Sequence, residues 1–126
     1  MPAGVLTYDL VRKSSADDRR VVQGADNHLT LSFTNALADD WTGFAARAHL
    51  RPDYKNYSAN YVARWTATIT QAEPGMNKVI ELALPASETV SVVDEYGRWD
   101  VEIYNGTLVK RVVQGRWEMS LEATSE

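Results

Sequence analysis

Apolar residues return at every second position through most of this chain. Leu29, Leu31 and Phe33 alternate with Thr30, Ser32 and Thr34, the spacing that sets every other side chain on one face of a strand. Phe44, Ala46, Ala48 and Leu50 do the same against Ala45, Arg47, His49 and Arg51. Alanine favours helices by propensity, but a 3.6-residue period would scatter Arg47 and His49, whereas a period of two leaves a clean apolar face. Ala63, Trp65, Ala67 and Ile69 form a further strand, backed by Arg64 and three β-branched threonines suited to a pleated surface. Ile80, Leu82 and Leu84 follow, then Trp99, Val101 and Ile103 against Asp100, Glu102 and Tyr104. Trp117, Met119 and Leu121 close the series, with Arg116, Glu118, Ser120 and Glu122 opposite. Shorter alternations at Leu6, Tyr8 and Leu10 and at Val21-Val22 predict two more strands.

Between these runs lie turn formers. Ser14 to Arg19 reads as a loop, Asn35 to Gly43 as a connection, and Arg51 to Asn60 as a long polar loop. Glu73-Pro74-Gly75 predicts a turn, and Pro85 to Thr89 one helical turn with proline early, where its missing N–H costs little. Asn105-Gly106 predicts a hairpin with a type I′ turn. Gly115 is expected to mark a β-bulge in the return strand. About eight short antiparallel strands in one domain over residues 1–126 fit a β-sandwich or barrel. Residues 1–4 read as an extended arm that orders on assembly.

A chain of 126 residues sits at the common size of a single domain. With 44% apolar and 24% charged residues it has an ordinary globular balance. It contains no cysteine, which excludes a disulfide framework, a thiolate zinc site and a cysteine nucleophile. No stretch approaches the roughly 18 apolar residues of a membrane span. The opening lacks a basic segment followed by an apolar run, so no secretion signal is expected. A formal net charge of −4 argues against a nucleic-acid partner, whose phosphates favour basic surfaces.

Reactive groups are dispersed. His28 and His49 read as surface histidines ahead of metal ligands or general bases. No serine follows the glycine pattern of a nucleophile elbow, and the glycines stand singly at turns without forming a phosphate loop. The pairs Asp17-Asp18, Asp39-Asp40 and Asp94-Glu95 read as solvated turns ahead of a calcium site or a glycosidase pair. No enzymatic activity, cofactor or metal is therefore expected. Trp65, Trp99 and Trp117 fall on apolar faces and are assigned to the core. Trp41 lies in a connection, and Tyr54, Tyr57 and Tyr61 crowd one loop beside Asn and Ser, a composition common in recognition loops. These four are the candidate partner-binding residues. Two readings of the loop stay open: it contacts a protein or stacks on a sugar ring, or its rings cap an open end of the core.

A run of motifs resembles a family. Val22-Gln23-Gly24-Ala25-Asp26-Asn27 leading into Leu29–Phe33 is similar to the opening of small immunoglobulin-like phage virion proteins. Asp40-Trp41-Thr42-Gly43-Phe44 resembles their Asp-Leu-Thr-Gly element, with Trp41 in place of the usual leucine. Leu82 to Thr89 looks like their strand-Leu-Pro turn, and Gly97-Arg98-Trp99-Asp100-Val101-Glu102-Ile103 like their penultimate strand. Gly115-Arg116-Trp117-Glu118-Met119 resembles the closing one. Among such proteins, the motifs resemble those of the N-terminal domain of the phage baseplate upper protein. The resemblance spans most of the chain, from about Val21 to Thr124, and implies an immunoglobulin-like β-sandwich without catalytic residues. It implies a structural protein of a bacteriophage particle, a minor tail or baseplate component present in several copies. Its partners would be tail, baseplate or capsid subunits, and its locations the virion and, during assembly, the host cytoplasm. Capsid-decoration, head-fibre and neck proteins are the alternatives within that class. A carbohydrate-binding module using the tyrosine-rich loop is the alternative outside it, and a hydrolase built on paired carboxylates is the least favoured.

Overall fold

The alternating runs become eight strands and one helical turn. The computed structural model of the protein describes residues 5–33, 41–52, 61–70 and 77–120. The elements are β1 (Leu6–Thr7), β2 (Val21–Val22), β3 (Asn27–Phe33), β4 (Ala45–Pro52), β5 (Ala63–Thr70), β6 (Lys78–Leu84), α1 (Ala86–Thr89), β7 (Tyr96–Asn105) and β8 (Leu108–Ser120). The protein is all-β, as its periodicity predicts. The arm at residues 1–4, the turn at Glu73-Pro74-Gly75 and most of the two long connections lie outside the described residues.

One curled sheet runs in the order β1-β8-β7-β4-β5-β6-β3, with β2 also paired to β8. The curl is made by β5, which changes partner along its length. Its first residues, Ala63 to Trp65, pair with β4, and Thr66 to Thr70 pair with β6. The two flanks of the sheet thereby turn their apolar faces to a single core. Leu31, Phe33, Ile80, Leu82 and Leu84 come from one flank, and Leu50, Trp99, Val101, Ile103, Val113 and Trp117 from the other. Each fully buried aliphatic side chain contributes about 1.5–3 kcal/mol of transfer free energy. The three tryptophans assigned to the core are all buried, with Trp65 and Trp99 ring centres 6.0 Å apart.

Not every strand is antiparallel. The N-terminal segment runs alongside β8 in the same direction, so β1 and β2 both pair with it in parallel, Leu6 beside Val113 and Val21 beside Met119. The regular ladder of β1 stops at Thr7 because Asp9 intervenes: its Oδ1 accepts the backbone N–H of Arg116 at 3.0 Å. Leu10 rejoins the strand, donating to the Arg116 carbonyl at 2.7 Å and accepting from Glu118 at 3.0 Å. The Ser14–Arg19 loop projects from this edge, closed at its base by a bridge between Arg12 and Asp18.

Two expectations for the β7–β8 hairpin are corrected. The residues joining the strands are Gly106 and Thr107, since Asn105 still pairs with Leu108. Glycine thus stands first in the two-residue loop, at φ +63°, whereas the expected turn would centre on Asn105-Gly106 with glycine second. The bulge is also not at Gly115. Val101 pairs with Val113 and Glu102 with Arg111, leaving Val112 as the extra residue.

Gly115 answers to a close approach instead. A Cβ there would run into the carbonyl oxygen of Tyr8, which is turned to accept the indole N–H of Trp99 at 2.6 Å. Gly97 repeats the device on the other strand. A Cβ there would strike the Arg51 carbonyl oxygen, which accepts the indole N–H of Trp117 at 2.8 Å. The ladder sets Trp99 opposite Gly115 and Trp117 opposite Gly97. Each tryptophan thus crosses a bare position and ties a neighbouring segment to the hairpin.

The helical turn forms where expected. Pro85 precedes it, Asp26 Oδ1 accepts the Ala86 N–H at 2.9 Å, and buried Thr89 accepts the Gly24 N–H at 2.9 Å. This turn anchors the approach to β3 against the far end of β6.

Candidate functional site

Of the four expected partner-binding residues, Trp41 and Tyr61 are described. Tyr54 and Tyr57 lie outside the described residues. Trp41 is corrected: it is only 3% exposed and packs edge-on against Phe33, ring centres 5.4 Å apart. A tryptophan in a connection has enough apolar surface to fold inward and close the core, so its faces are not presented to a partner. Tyr61 is 47% exposed, and its ring lies 4.6 Å from that of His49. Of the four, it alone combines a described position with an exposed ring.

Asp17 and Asp18 are held in their loop by Arg19 and Arg20, through ion pairs of 3.0 and 2.7 Å. Hydrogen bonding from Arg20 lowers the Asp18 carboxyl to about 2. Among the described residues no three or more His, Asp or Glu side chains gather in a way that could hold a metal ion.

Polar side chains do converge on the outer face of β8, β7 and β4. The alternation that buries Trp99, Val101 and Ile103 turns Arg98, Asp100 and Glu102 the other way. The strand registers then line up three cross-strand rows. Arg116, Arg98 and Arg51 are direct neighbours on β8, β7 and β4. Beside them run Gln114, Asp100 and His49, extended by Thr7 on β1 and Arg64 on β5. The third row is Arg111, Glu102 and Arg47.

Diagonal ion pairs compensate part of this charge. Arg51 Nε lies 2.9 Å from Asp100 Oδ2, and Arg47 Nε lies 2.9 Å from Glu102 Oε1. Arg47 also stacks its guanidinium 4.8 Å from the centre of the Tyr104 ring. Arg111 and Arg116 make no side-chain hydrogen bond or ion pair among the described residues. Asp100 is unusual for a carboxylate on an outer face, being only 5% exposed. One of its oxygens meets Arg51, and the other, Oδ1, is buried without a hydrogen-bond partner among the described residues. An acceptor left in that state costs about 1–3 kcal/mol.

The β8 and β7 members of these rows, with Thr7 and Arg51, line a cleft of about 550 Å³; His49, Arg64 and Arg47 lie outside it. Gly115 and Trp99 line it, and Asp9, Arg98, Asp100 and Arg116 contribute its polar groups. His49, next to Asp100, has its Nδ1 buried without a partner among the described residues. Burial, reinforced by the Arg51 charge, lowers its pKa from the ordinary 6.5. The expectation of a surface histidine therefore fits exposed His28 better than half-buried His49. Chemically the arrangement offers guanidinium forks at the rim and, behind them, one buried carboxylate oxygen without a hydrogen-bond partner among the described residues. Of its carboxylates, Asp100 and Glu102 are engaged by arginine side chains and Asp9 accepts the Arg116 backbone N–H, which suits recognition better than acid–base turnover.

No protein-family model, curated protein or solved structure matches the chain.

Sequence reasoning placed Arg47, His49, Arg51, Asp100, Glu102 and Arg116 on outward faces but saw no site in them. The missing information was register. Only the pairing of β4 with β7 and of β7 with β8 brings three arginines side by side.

Proposed function

We propose that this chain is a non-catalytic, immunoglobulin-like binding module that joins neighbouring subunits of a bacteriophage particle, as a minor tail or baseplate component. The immunoglobulin-like reading is supported by strand order. β3-β6-β5 corresponds to a B-E-D group and β4-β7-β8 to a C-F-G group, with β5 serving both. The particle setting rests on the ordered motifs between Val22 and Met119.

The observation that carries the binding role is the outer face of β8, β7 and β4. It gathers exposed arginines around one cleft, with Arg111 and Arg116 lacking a side-chain hydrogen bond and Asp100 Oδ1 lacking a donor among the described residues, groups that a second molecule would satisfy. The test is co-assembly. The purified chain is mixed with tail, baseplate and capsid subunits, and complexes are followed by sedimentation. The reading expects a stable complex with one of these subunits, weakened when Arg98 and Arg116 are both replaced by glutamate. A chain that stays monomeric with all of them would overturn it.

Exposed Tyr61 favours a second reading, a carbohydrate-binding module with this ring as a stacking platform. A glycan screen in which the native chain and Tyr61→Ala bind equally would remove it.

A further inference from the structure

Three arginines in one cross-strand row are an unfavourable arrangement for an isolated sheet. Residues directly opposite each other on paired strands have Cβ atoms about 4.5–5.5 Å apart, and like charges there repel. In the row Arg116–Arg98–Arg51, Arg51 is balanced by Asp100. Arg116 has no counter-ion among the described residues, and neither does Arg111 beyond the bulge. All this sits on a chain of formal net charge −4, so a cleft with four arginines against Asp9, Asp100 and Glu102 runs against the character of the rest of the molecule.

Asp100 Oδ1 supplies a second, independent constraint. It belongs to Asp100, a cleft-lining side chain more than nine-tenths buried, and lacks a donor among the described residues; the oxygen itself is closed to solvent, so a donor reaches it as the side chain turns toward the cleft. An occupant must therefore bring negative charge for the guanidinium groups and an N–H or O–H for this oxygen. A DNA phosphodiester backbone carries the charge but no donor along its length, and an RNA backbone offers only its 2′-hydroxyls. An extended peptide bearing Asp or Glu carries both, because a backbone N–H accompanies every carboxylate.

We infer that the cleft between Asp9, Arg98, Asp100 and Arg116 is the docking site for an acidic peptide segment of a partner subunit. The carboxylates of that segment engage Arg98, Arg111 and Arg116, and one of its backbone N–H groups donates to Asp100 Oδ1. Arginine suits this role because its planar fork meets a carboxylate through two parallel hydrogen bonds. The inference rests on the module reading above and gives it a partner chemistry.

The test uses the full chain, isotope-labelled, titrated with N-acetyl hexaglutamate amide and followed by nuclear magnetic resonance. Hexalysine, trigalacturonate and inorganic phosphate are the comparison probes. Hexaglutamate is expected to shift the side-chain N–H signals of Arg98, Arg111 and Arg116 and the indole signal of Trp99, with affinity falling as salt rises. Arg98→Gln and Arg116→Gln should each weaken it about tenfold, while a thermal melt shows that both variants remain folded. Arg64→Gln, in the same sheet but outside the cleft, should bind as the native chain does. Hexaglutamate that leaves the cleft signals unmoved would overturn the inference, as would tighter binding of trigalacturonate, which would assign the cleft to acidic sugars. Shifts from phosphate equal to those from hexaglutamate would reduce the site to a general anion trap and overturn the peptide assignment. Co-assembly with particle subunits in the absence of hexaglutamate binding would sink this inference alone; hexaglutamate binding without co-assembly would sink the module reading.

Discussion

Trp117 and Gly97 face each other across the β7–β8 ladder, and the indole of the first fills the space a side chain on the second would need. A Cβ on Gly97 would lie 2.7 Å from Trp117 Nε1 and would also meet the Arg51 carbonyl that this nitrogen bonds. Trp99 and Gly115 repeat the relationship with the Tyr8 carbonyl. The two pairs fasten β4 and the N-terminal segment to the hairpin, and they fix the floor from which Arg98, Asp100 and Arg116 project.

Gly97→Ala and Gly115→Ala should therefore be strongly destabilising, by about 3 kcal/mol each, the upper end of ordinary overpacking. The obstacle is backbone carbonyl, which cannot swing aside. Urea unfolding midpoints check this. Values within 1 kcal/mol of the native chain, an order-of-magnitude threshold, would mean that the carbonyls are not held where the indoles bond them.

The tryptophans themselves should separate into two groups. Trp99 and Trp117 each donate to a carbonyl, whereas Trp65 Nε1 is buried without a partner among the described residues. Replacement by phenylalanine removes similar volume at all three positions. Trp99→Phe and Trp117→Phe should cost about 1 kcal/mol more than Trp65→Phe, the net worth of a hydrogen bond. Equal losses at the three sites would contradict the assignment.

Arginines in the same row should behave in opposite ways. Arg51→Gln leaves the almost buried Asp100 carboxylate without its counter-ion and should cost about 3 kcal/mol. Arg116→Gln relieves repulsion from Arg98 and should be neutral or stabilising by a few tenths, within the 0.2–1 kcal/mol scale of cross-strand pairs. Thermal melts at low salt resolve the difference. A clear loss of stability in Arg116→Gln would show that its guanidinium already has a partner within the chain.

Acid should weaken the fold in two separate windows. His49 has a folded pKa below its ordinary 6.5, through burial and the neighbouring Arg51. The unfolded chain therefore takes up the proton first. Stability linked to His49 is complete above about pH 6.5 and declines as pH falls toward the lowered folded value. Asp18, held at about 2 by its hydrogen bond from Arg20, contributes above about pH 3.8 and loses that contribution as pH falls through 2. Stability profiles of His49→Gln and Asp18→Asn should each lose one window and keep the other. A His49 resonance titrating at or above 6.5 would contradict the first.

Much of the architecture was legible because a period of two reports directly which side chains face inward. Trp65, Trp99 and Trp117 were placed in the core on that ground, and the turn after Pro85 on the chemistry of proline. Relations between segments were not legible. Nothing local distinguishes a strand that will lie parallel to β8 from one that will lie antiparallel. Gly115 looks like a bulge until the Tyr8 carbonyl is seen above it. Trp41 reads as an exposed aromatic because its neighbours are polar, yet Phe33 offers it a place inside. The cleft was invisible for the same reason, since Arg51, Arg98 and Arg116 are far apart along the chain and become neighbours only through register.

The account stands or falls on what lies against the outer face of β8, β7 and β4. Electron cryomicroscopy of a particle assembled with this chain tests that directly. The expected map has an acidic segment of a neighbouring subunit in the cleft, its carboxylates against Arg98 and Arg116 and a donor at Asp100 Oδ1. A map in which every subunit contact falls elsewhere, with this face bare to solvent, would contradict it.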